Sequence, residues 1–358
     1  MLEMLTGNDA VSEAAVRAGC RFYAGYPITP STEILENLSH RLEEVGGAFV
    51  QAESELAGIN MIIGAASCGV MSLTASSGPG MSLKQEGISV LSDEQIPAVI
   101  VNMVRYGNGI GTLLNAQCDY LRETRGGGNG DYRVISLCPS SVQEAADLTV
   151  LAFDLAEKYR MVVLIMGEAD LAHMREPAEL PEMREPHRYP WGFDGAATTP
   201  LIGIFDRDSR KEAVELNEKY DAVRANEQRW ESNYLEDADY VLVAYGIAGR
   251  TTIGAVEQLR AEGYKVGYIR PITAWPFPVK AFEQVNPNVK GFMTVELNAT
   301  GQMIDDVALT LKTIKKDGDA IYAKVPVYTN PYVFGMPATK TVMEDFKKMV
   351  SGEMKEVY

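Results

Sequence analysis

The sequence predicts an α/β protein built on a parallel sheet that helices cover on both faces. Strand-like and helix-like runs alternate from about residue 21 to residue 168, at the spacing of repeated strand–helix units. A second alternating series begins near residue 239. A chain of 358 residues is also long enough for about two domains, each with its own core.

The bulk composition narrows the class of protein. Hydrophobic residues make up 46% and charged residues 23%, which is typical of a soluble globular protein. No apolar run reaches the roughly 18 residues of a membrane span, and the N-terminus lacks a basic region followed by an apolar core. We therefore expect a cytoplasmic protein without membrane contact. The net charge of −16 argues against nucleic acid and favours a soluble partner or small-molecule chemistry.

The cysteines and histidines argue against two kinds of site. Cys20, Cys68, Cys118 and Cys138 lie far apart without CxxC spacing, so we expect no metal or iron–sulfur cluster on this chain. Cys20 and Cys138 stand in apolar surroundings and are predicted to be packed thiols, whereas Cys118 lies in a polar loop. None of the three histidines forms a recognisable motif with a nucleophile, which weakens a hydrolase interpretation.

The first elements are a helix and a strand. Residues 8–18 predict an amphipathic helix, with Asn8 or Asp9 as its cap and Gly19 as its terminator. The helix leads into a strand-like run at 21–24.

The next stretch, Gly25–Glu33 (GYPITPSTE), joins this strand to a helix with apolar residues three and four apart. Two prolines stiffen the loop. Thr29, Ser31 and Thr32 place hydroxyls where the free N–H groups of a helix start point, so the loop suits a polar or anionic group. Simple capping of the helix remains the alternative.

Polar groups follow the next strands too. Glu53 and Glu55 stand at the mouth of the second helix, the third strand ends in TASSGPG (74–80), and the fourth ends at Arg105. Because the carboxyl ends of parallel strands meet at one edge, we expect these groups to line one crevice. The glycine-rich segment 106–132 is too long for a simple connection and is predicted to be a functional loop over these strand ends.

The rest of the chain gives a linker and a second α/β unit. After a helix capped by Ser140 and an apolar strand ending near Glu168, prolines break up the pattern. We predict a first domain at 1–175, a linker with a bridging helix at 176–235, and a second domain at 236–358. A surface excursion of the first domain is the alternative for the linker. Glu296 and Asn298 end a strand of the second unit, where a structural or interface role is favoured.

Several of these stretches resemble one known family. GYPITPSTE, QAESELAGIN, TASSGPGMSLKQEG, the strand ending in Arg105 and GGGNGDYRVISLCPSSVQE look like the alpha-type subunit of the 2-oxoacid:ferredoxin oxidoreductases. The resemblance covers nearly the whole chain. It implies a pyrimidine-binding thiamine diphosphate domain followed by a smaller domain similar to the C-terminal domain of transketolases.

The resemblance also implies site residues. The family's activating glutamate, which binds N1′ of the cofactor's aminopyrimidine, precedes a small-residue helix and lies nine residues before a glycine. Glu55 and Gly64 match this pattern, with Glu53 as a hydrogen-bonding neighbour. Without the resemblance, a glutamate pair at a helix start would complement the helix dipole.

The family's arginine and threonine that bind substrate fall at Arg105 and Thr29. An arginine's fork of donors matches the carboxylate of a 2-oxoacid, and both residues are expected to contact cofactor or substrate together with Glu55. An ion pair between Arg105 and a loop acid, Asp119 or Asp131, is the alternative. Many members have Gly-Gly-Pro after the arginine, whereas Tyr106, Gly107 and Asn108 stand here, which leaves the shape of the substrate pocket open.

The diphosphate–magnesium motif of thiamine enzymes, GDG followed by Asn, is not found, and GPG at 78–80 is better read as a turn into a helix. The resemblance therefore implies a beta-type subunit that holds the diphosphate, Mg²⁺ and a [4Fe-4S] cluster, with gamma and ferredoxin-like delta subunits.

The implied reaction converts a 2-oxoacid and coenzyme A to acyl-CoA, carbon dioxide and reduced ferredoxin. 3-Methyl-2-oxobutanoate is the favoured substrate and 2-oxoglutarate the alternative. A non-catalytic scaffold subunit and a free-standing thiamine enzyme are the rival interpretations.

Overall fold

The computed structural model describes residues 2–192, 208–316, 318–333 and 335–358. The strands are β1 (Leu2–Thr6), β2 (Phe22–Gly25), β3 (Ala48–Gln51), β4 (Ser72–Ser76), β5 (Ala98–Val104), β6 (Ile135–Leu137), β7 (Val162–Glu168), β8 (Arg175–Glu179), β9 (Trp230–Asn233), β10 (Tyr240–Val243), β11 (Val266–Pro271), β12 (Thr273–Trp275), β13 (Gly291–Glu296), β14 (Lys315–Lys316), β15 (Asp319–Ala320) and β16 (Val327–Pro331). The helices are α1 (Gly7–Ala18), α2 (Thr32–Glu44), α3 (Glu55–Ser67), α4 (Gly78–Leu83), α5 (Gln85–Asp93), α6 (Tyr120–Arg125), α7 (Val142–Tyr159), α8 (Ala169–His173), α9 (Ser209–Asn226), α10 (Gly246–Ala261), α11 (Val279–Phe282), α12 (Met303–Thr313) and α13 (Thr339–Ser351).

Two large sheets organise the described residues. The first has the order β12-β6-β7-β5-β4-β2-β3, and its pairs are parallel except for β12 with β6. The second has the order β16-β13-β10-β11-β9, again parallel except for β9 at one edge. The α/β class with parallel sheets is confirmed.

The helices divide between the faces of these sheets. α1, α2 and α7 pack on one face of the first sheet through Ile34, Leu38 and Phe153. α3 and α5 pack on the other face, in an apolar cluster that continues into the second sheet and α12. α10 and α13 cover the far face of the second sheet. One apolar cluster therefore continues from the first sheet into the second.

A switch in strand order positions the crevice. β2 and β4 are neighbours, but the chain leaves β2 through α2 on one face and leaves β4 through α4 and α5 toward the other. Ligand crevices of open α/β sheets lie at the carboxyl ends of strands at such a point. The loop 25–33 and the segment 76–80 flank it, as the sequence predicts.

The segment predicted as a linker contains more regular structure than the prolines indicate. β8 pairs antiparallel with β1 although it includes Pro177, and as an edge strand it tolerates a residue without an N–H. α9 packs Tyr220 and Val223 into the core of the first sheet, and β9 joins the second sheet. Residues 193–207, with Pro200, lie outside the described residues.

Three helix starts differ from the sequence expectation. Thr6, not Asn8 or Asp9, caps α1, and Asp9 completes the capping box by accepting from the Thr6 N–H. Ser141 caps α7 in place of Ser140. The Ser31 hydroxyl donates to the Ile28 carbonyl instead of capping α2, so the loop keeps its own hydrogen bond. The local sequence pattern predicts these helices. The capping residues of α1 and α7 lie one to three positions away from the residues that the pattern indicates.

Two further expectations concern side chains and membranes. Cys20 and Cys138 are buried free thiols, as predicted, and Cys118 is half-buried. Across the described ranges, no helix combines the length and apolar character that crossing a bilayer requires.

Candidate functional site

Glu55 is the first residue of α3 and lies at the crevice. Ser54 caps the helix, its hydroxyl accepting from the Ala57 N–H at 3.2 Å. The Glu55 side chain is 5% exposed, yet no hydrogen bond from the described part of the chain reaches its carboxylate. A buried carboxylate without a protein donor is costly unless a ligand or a nearby charge compensates it. Glu55 is thus open to a ligand.

Glycine at position 80 lets two polar side chains approach the first turn of α4 closely. A Cβ on Gly80 would stand 2.3 Å from Oε1 of Glu55 and 2.2 Å from Oγ of Ser76, so only glycine fits there. The hydroxyls of Ser76 and Ser77 are buried and lack a partner among the described residues. GPG at 78–80 opens α4, which confirms it as a turn into a helix.

Arg105 follows β5 and reaches the same place from the other side of the crevice. Its Nη1 donates to the Thr29 carbonyl at 2.9 Å and its Nη2 to the Ile110 carbonyl at 2.7 Å. Its Nε is buried without a partner and lies 3.1 Å from where a Cβ on Gly78 would be. The guanidinium is therefore held by two carbonyls and still has donors for a ligand.

The ion-pair alternative for Arg105 is wrong. Asp119 pairs with Arg122 at 2.6 Å, and Arg122 also pairs with the buried Glu123. Neither Asp119 nor Asp131 forms an ion pair with Arg105 in the described ranges. No carboxylate in the described part of the chain therefore pairs with the guanidinium.

The other two predicted residues lie beside this pair with less contact. Thr29 is exposed and meets Arg105 through its backbone carbonyl. Glu53 is exposed and accepts a hydrogen bond from Ser54, so the predicted hydrogen bond between Glu53 and Glu55 is wrong. Loop 106–117 folds back on itself beside Arg105: the Tyr106 N–H donates to the Leu114 carbonyl at 2.8 Å, and the Ile110 carbonyl accepts from Arg105.

Sequence reasoning missed the residue that anchors the loop 25–33. Asn8 is fully buried on α1, and its Nδ2 donates to the Pro30 carbonyl and to Oε2 of Glu33, both at 2.8 Å. Its position near the helix start predicts only a cap. A polar residue on the buried face of an amphipathic helix was the available signal.

Lys84 is the second residue that was missed. It is fully buried at the junction of α4 and α5, and its Nζ donates to Thr74 Oγ1 at 2.9 Å. Burial lowers the pKa of Lys84 to about 8, an effect that the charge of Glu55 opposes. Its helical spacing with Met81 and Ile88 places it on an apolar face, which could have revealed a buried lysine.

Gln117 is the centre of a buried hydrogen-bond network at the boundary of the two domains. Gln117 donates from Nε2 to Oε1 of Glu168 and to the Tyr245 carbonyl, and its Oε1 accepts from the Leu297 N–H. Burial raises the pKa of Glu168 to about 8. Through Gln117, this network connects the start of α10 and the end of β13 to the loop that follows Arg105.

Glu296 ends β13 and is completely buried. Its carboxylate accepts from the backbone N–H groups of Gln302, Met303 and Ile304 at 2.8–3.1 Å, and from Nδ2 of Asn298. This saturated arrangement fixes the start of α12, in agreement with the structural role favoured from sequence.

Large apolar side chains are exposed on the segments that carry the site residues. They lie next to the site residues in the chain and on the loop over the strand ends: Tyr26, Leu56, Met61, Leu83, Ile110, Leu113, Leu114 and Leu121. No group of three or more metal-ligating side chains occurs among the residues that the structure covers.

Two family models match the chain. Residues 13–232 match "Pyruvate flavodoxin/ferredoxin oxidoreductase, thiamine diP-bdg", and residues 238–326 match "Pyruvate:ferredoxin oxidoreductase core domain II". The first match contains Glu55, Thr29 and Arg105.

Curated relatives match over most of their length. Ketoisovalerate oxidoreductase subunit VorB of Methanothermobacter marburgensis is 48% identical over 314 residues, which cover 86% of this chain and 89% of the relative. 2-Oxoglutarate synthase subunit KorA of Methanocaldococcus jannaschii is 38% identical over 341 residues, covering 87% and 92%.

Solved structures share the fold. A chain of the 2-oxoglutarate:ferredoxin oxidoreductase from Magnetococcus marinus superposes with a TM-score of 0.84 at 24% identity; the match covers 98% of this chain and 65% of that one. A split gene transketolase matches with a TM-score of 0.57 at 12% identity, covering 98% and 99%. From the two family models and the identity to curated subunits, the chain belongs to the 2-oxoacid:ferredoxin oxidoreductase family, as a subunit of the thiamine diphosphate-binding type.

Proposed function

We propose that this chain supplies the aminopyrimidine half of a thiamine diphosphate site and the clamp for the 2-oxoacid carboxylate in a hetero-oligomeric enzyme. The observation that carries the proposal is the Glu55 carboxylate, which is buried at the switch point and accepts no hydrogen bond from the residues that the structure describes. A structural carboxylate in the same chain, Glu296, is saturated instead. An acid held open in this way is suited to bind a ligand.

The donor set fits the cofactor. An aminopyrimidine needs one acid against N1′ and further polar groups around the ring, and Glu55 is accompanied by the unpartnered hydroxyls of Ser76 and Ser77. When bound, thiamine diphosphate supplies the nucleophilic carbon and the electron sink for decarboxylation. Glu55 holds the proton shared with N1′, which is the one acid the protein must provide.

Arg105 suits the substrate carboxylate. Its guanidinium is fixed by the carbonyls of Thr29 and Ile110 while Nε keeps a free donor, so it is oriented before a ligand arrives. An oriented arginine binds a carboxylate with less loss of side-chain entropy than a mobile one. Thr29, whose side chain is exposed beside it, is the second proposed contact.

The substrate tail is proposed to be uncharged and branched, as in 3-methyl-2-oxobutanoate. Loop 106–117 contains no lysine or arginine to pair with a second carboxylate, and it exposes Ile110, Leu113 and Leu114. The relative with 48% identity is named a ketoisovalerate oxidoreductase subunit. 2-Oxoglutarate, the substrate in the name of the relative with 38% identity, is the alternative.

The proposed partner is a beta-type subunit that brings the diphosphate site, Mg²⁺ and a [4Fe-4S] cluster, with gamma and ferredoxin-like delta subunits, coenzyme A and ferredoxin completing the reaction. The exposed apolar side chains on the segments that carry the site residues support a covering partner, because burying them against another chain would remove apolar surface from water. The missing diphosphate motif in the sequence supports the same division of the site.

Reconstitution with the beta-type subunit tests the proposal. The chain alone should show no iron absorption, no saturable thiamine diphosphate binding at micromolar concentration and no turnover. The mixture should decarboxylate 3-methyl-2-oxobutanoate with coenzyme A, reduce a viologen dye, and have a lower kcat/KM for 2-oxoglutarate. Turnover by the chain alone would indicate a self-sufficient enzyme, and an inactive mixture with intact assembly would indicate a scaffold.

A further inference from the structure

Residues 117–121 form the foot of the glycine-rich loop, and they are hydrogen-bonded to the end of β13 and the start of α12. The Gln117 N–H donates to the Leu297 carbonyl at 2.6 Å, and the Tyr120 hydroxyl donates to the Asp306 carboxylate at 2.7 Å. The partners of these bonds lie 180 and 186 positions apart in the sequence. The foot of the loop is therefore held by the second sheet and its helix.

Gln302, just before α12, binds the foot of the loop with both ends of its side-chain amide. Its Nε2 donates to the Cys118 carbonyl at 2.8 Å, and its Oε1 accepts from the Leu121 N–H at 3.0 Å. The Gln302 N–H donates in turn to Oε2 of Glu296 at 2.8 Å, so the side chain extends from a backbone position that is itself held. An amide that satisfies two backbone groups in this way fixes the path of the chain between them.

Cys118 connects this contact to Arg105. The Cys118 thiol donates to the Arg105 carbonyl at 3.3 Å, and Asn115 pairs with Arg105 in an isolated antiparallel bridge. The guanidinium is held by the same loop, because its Nη2 donates to the Ile110 carbonyl at 2.7 Å. The backbone and the side chain of Arg105 are therefore both held by a loop whose foot is bound to Gln302.

We propose that Gln302 is a positioning residue for substrate binding: by holding the foot of the loop, it keeps the Arg105 guanidinium oriented for the 2-oxoacid carboxylate. The proposal rests on the role given to Arg105 under the proposed function. It gives the second α/β unit a part in substrate binding through a residue that acts by way of the loop. A guanidinium that is less well oriented loses more side-chain entropy when a carboxylate binds, which weakens binding without changing the chemical step.

Steady-state kinetics of Gln302→Leu in the reconstituted complex tests the proposal. Leucine keeps most of the volume and loses both hydrogen bonds, so KM should rise roughly two- to tenfold, the effect of about one ordinary hydrogen bond. The rise should be equal for 3-methyl-2-oxobutanoate and 2-oxoglutarate, because both have the carboxylate. The kcat should stay within about twofold of the wild-type value, since the chemical step is untouched.

A double-mutant cycle measures whether Gln302 acts through Arg105. In Arg105→Lys the oriented fork is already lost, so adding Gln302→Leu should raise KM no further. Effects on KM that multiply in the double variant would overturn the proposal. A wild-type KM in Gln302→Leu, with only a lower free energy of unfolding, would also overturn it and leave Gln302 a contact that joins the two sheets.

Hydrogen exchange of the assembled complex without substrate gives a readout that does not require turnover. The amides of Tyr106 and Thr112 are bonded within the loop, to the carbonyls of Leu114 and Tyr106. In Gln302→Leu they should exchange faster, together with the amide of Leu121, which loses its acceptor. Faster exchange confined to Leu121 would overturn the proposal, because the loop would then keep its conformation without Gln302.

Gln228→Leu is the matched control. Gln228 is also a half-buried glutamine bonded to two backbone groups: its Nε2 donates to the Arg224 carbonyl at 2.7 Å, and its Oε1 accepts from the Lys280 N–H at 3.0 Å. These partners lie in α9 and α11, so KM and the exchange of the loop should stay at wild-type values. An equal rise of KM in Gln228→Leu would overturn the proposal, because the effect would not depend on the loop.

Gln302→Glu provides a second variant if Gln302→Leu does not assemble. The carboxylate keeps an acceptor for the Leu121 N–H but loses the donor to the Cys118 carbonyl, so KM should rise in the same way, and a wild-type KM would overturn the proposal. Failure of the proposed function has a different signature, namely a wild-type KM in Arg105→Lys. The exchange of the loop amides does not depend on that result.

Discussion

Two buried glutamates end up in similar places in the two domains but in opposite states. Glu55 is the first residue of its helix at the carboxyl edge of the first sheet, and Glu296 ends a strand before a helix in the second. Glu296 accepts three backbone N–H groups and the Asn298 amide. No described donor reaches Glu55.

The difference separates a structural acid from one that is open to a ligand. Sequence position alone does not distinguish them, since each is a glutamate between a strand and a helix. The number of hydrogen bonds that each carboxylate accepts does distinguish them. A folded protein rarely leaves a buried carboxylate without donors unless another group binds it. Substitutions at the two positions should therefore act on different properties.

The largest effect is expected for Glu55→Gln in the reconstituted enzyme. It removes one general acid–base contact, which typically costs about 10²–10⁴-fold in turnover. Assembly and the free energy of unfolding should stay near the wild-type values, since no protein hydrogen bond is lost. Glu53→Gln, at an exposed position, is the control; an inactive Glu53→Gln beside an active Glu55→Gln would reverse the assignment.

The next effect concerns the lysine beside the open acid. Lys84 has a folded pKa of about 8 against 10.5 for an unperturbed lysine. The unfolded chain therefore binds an extra proton between these pH values, so this group destabilises the fold fully below about pH 8 and the penalty disappears as pH rises toward 10.5. The shift corresponds to about 3 kcal/mol.

Urea denaturation of the wild type and Lys84→Met at a series of pH values measures this effect. The stability of the wild type relative to the variant should rise between pH 8 and 10.5. A constant difference across that range would contradict the lowered pKa.

Glu296→Gln should cost stability instead of turnover. The amide retains one acceptor oxygen and turns an NH₂ group toward backbone donors, so we expect a loss of about 2–3 kcal/mol in the free energy of unfolding. The kcat of the remaining folded complex should be unchanged. Glu283→Gln, on an exposed site of the same domain, should change stability by less than about 0.5 kcal/mol. Unchanged stability in Glu296→Gln would remove the contrast between the two acids.

The smallest effect is expected for Arg105→Lys. The charge remains but the planar fork is lost, so KM should rise roughly tenfold for every 2-oxoacid, whatever its tail. Changes in loop 106–117 should alter the preference between substrates instead. Arg41→Lys, on the far surface of α2, should leave KM unchanged. A KM effect confined to one substrate would place Arg105 at the tail.

The sequence was sufficient for the fold class and for the convergence of the strand ends. The alternation of strand-like and helix-like runs predicts the parallel sheet. In a parallel sheet the ends of β2, β4 and β5 lie at one edge, whatever their side chains are. The resemblance then selected Glu55 and Arg105, which the structure places on either side of the segment 78–80.

What the sequence missed depends on contacts between distant residues. Asn8 bonds to Pro30, 22 positions away, and local pattern can show only that it lies near a helix start. Lys84 was hidden because charged residues are expected at the surface. β12 has three residues and completes a sheet whose other strands end at residue 168, so no local period indicates where it pairs.

The position of β12 affects how the protein folds during its synthesis. β6 finds its outer neighbour only when Thr273–Trp275 has been made, and Trp275 lies 138 residues beyond Leu137. At about 5–20 residues per second the ribosome needs roughly 7–28 seconds for that interval. During this time the nascent first domain carries an open strand edge, the kind of surface that pairs with other chains. Nascent chains on neighbouring ribosomes would therefore be at greatest risk of aggregation while residues 138–275 are translated.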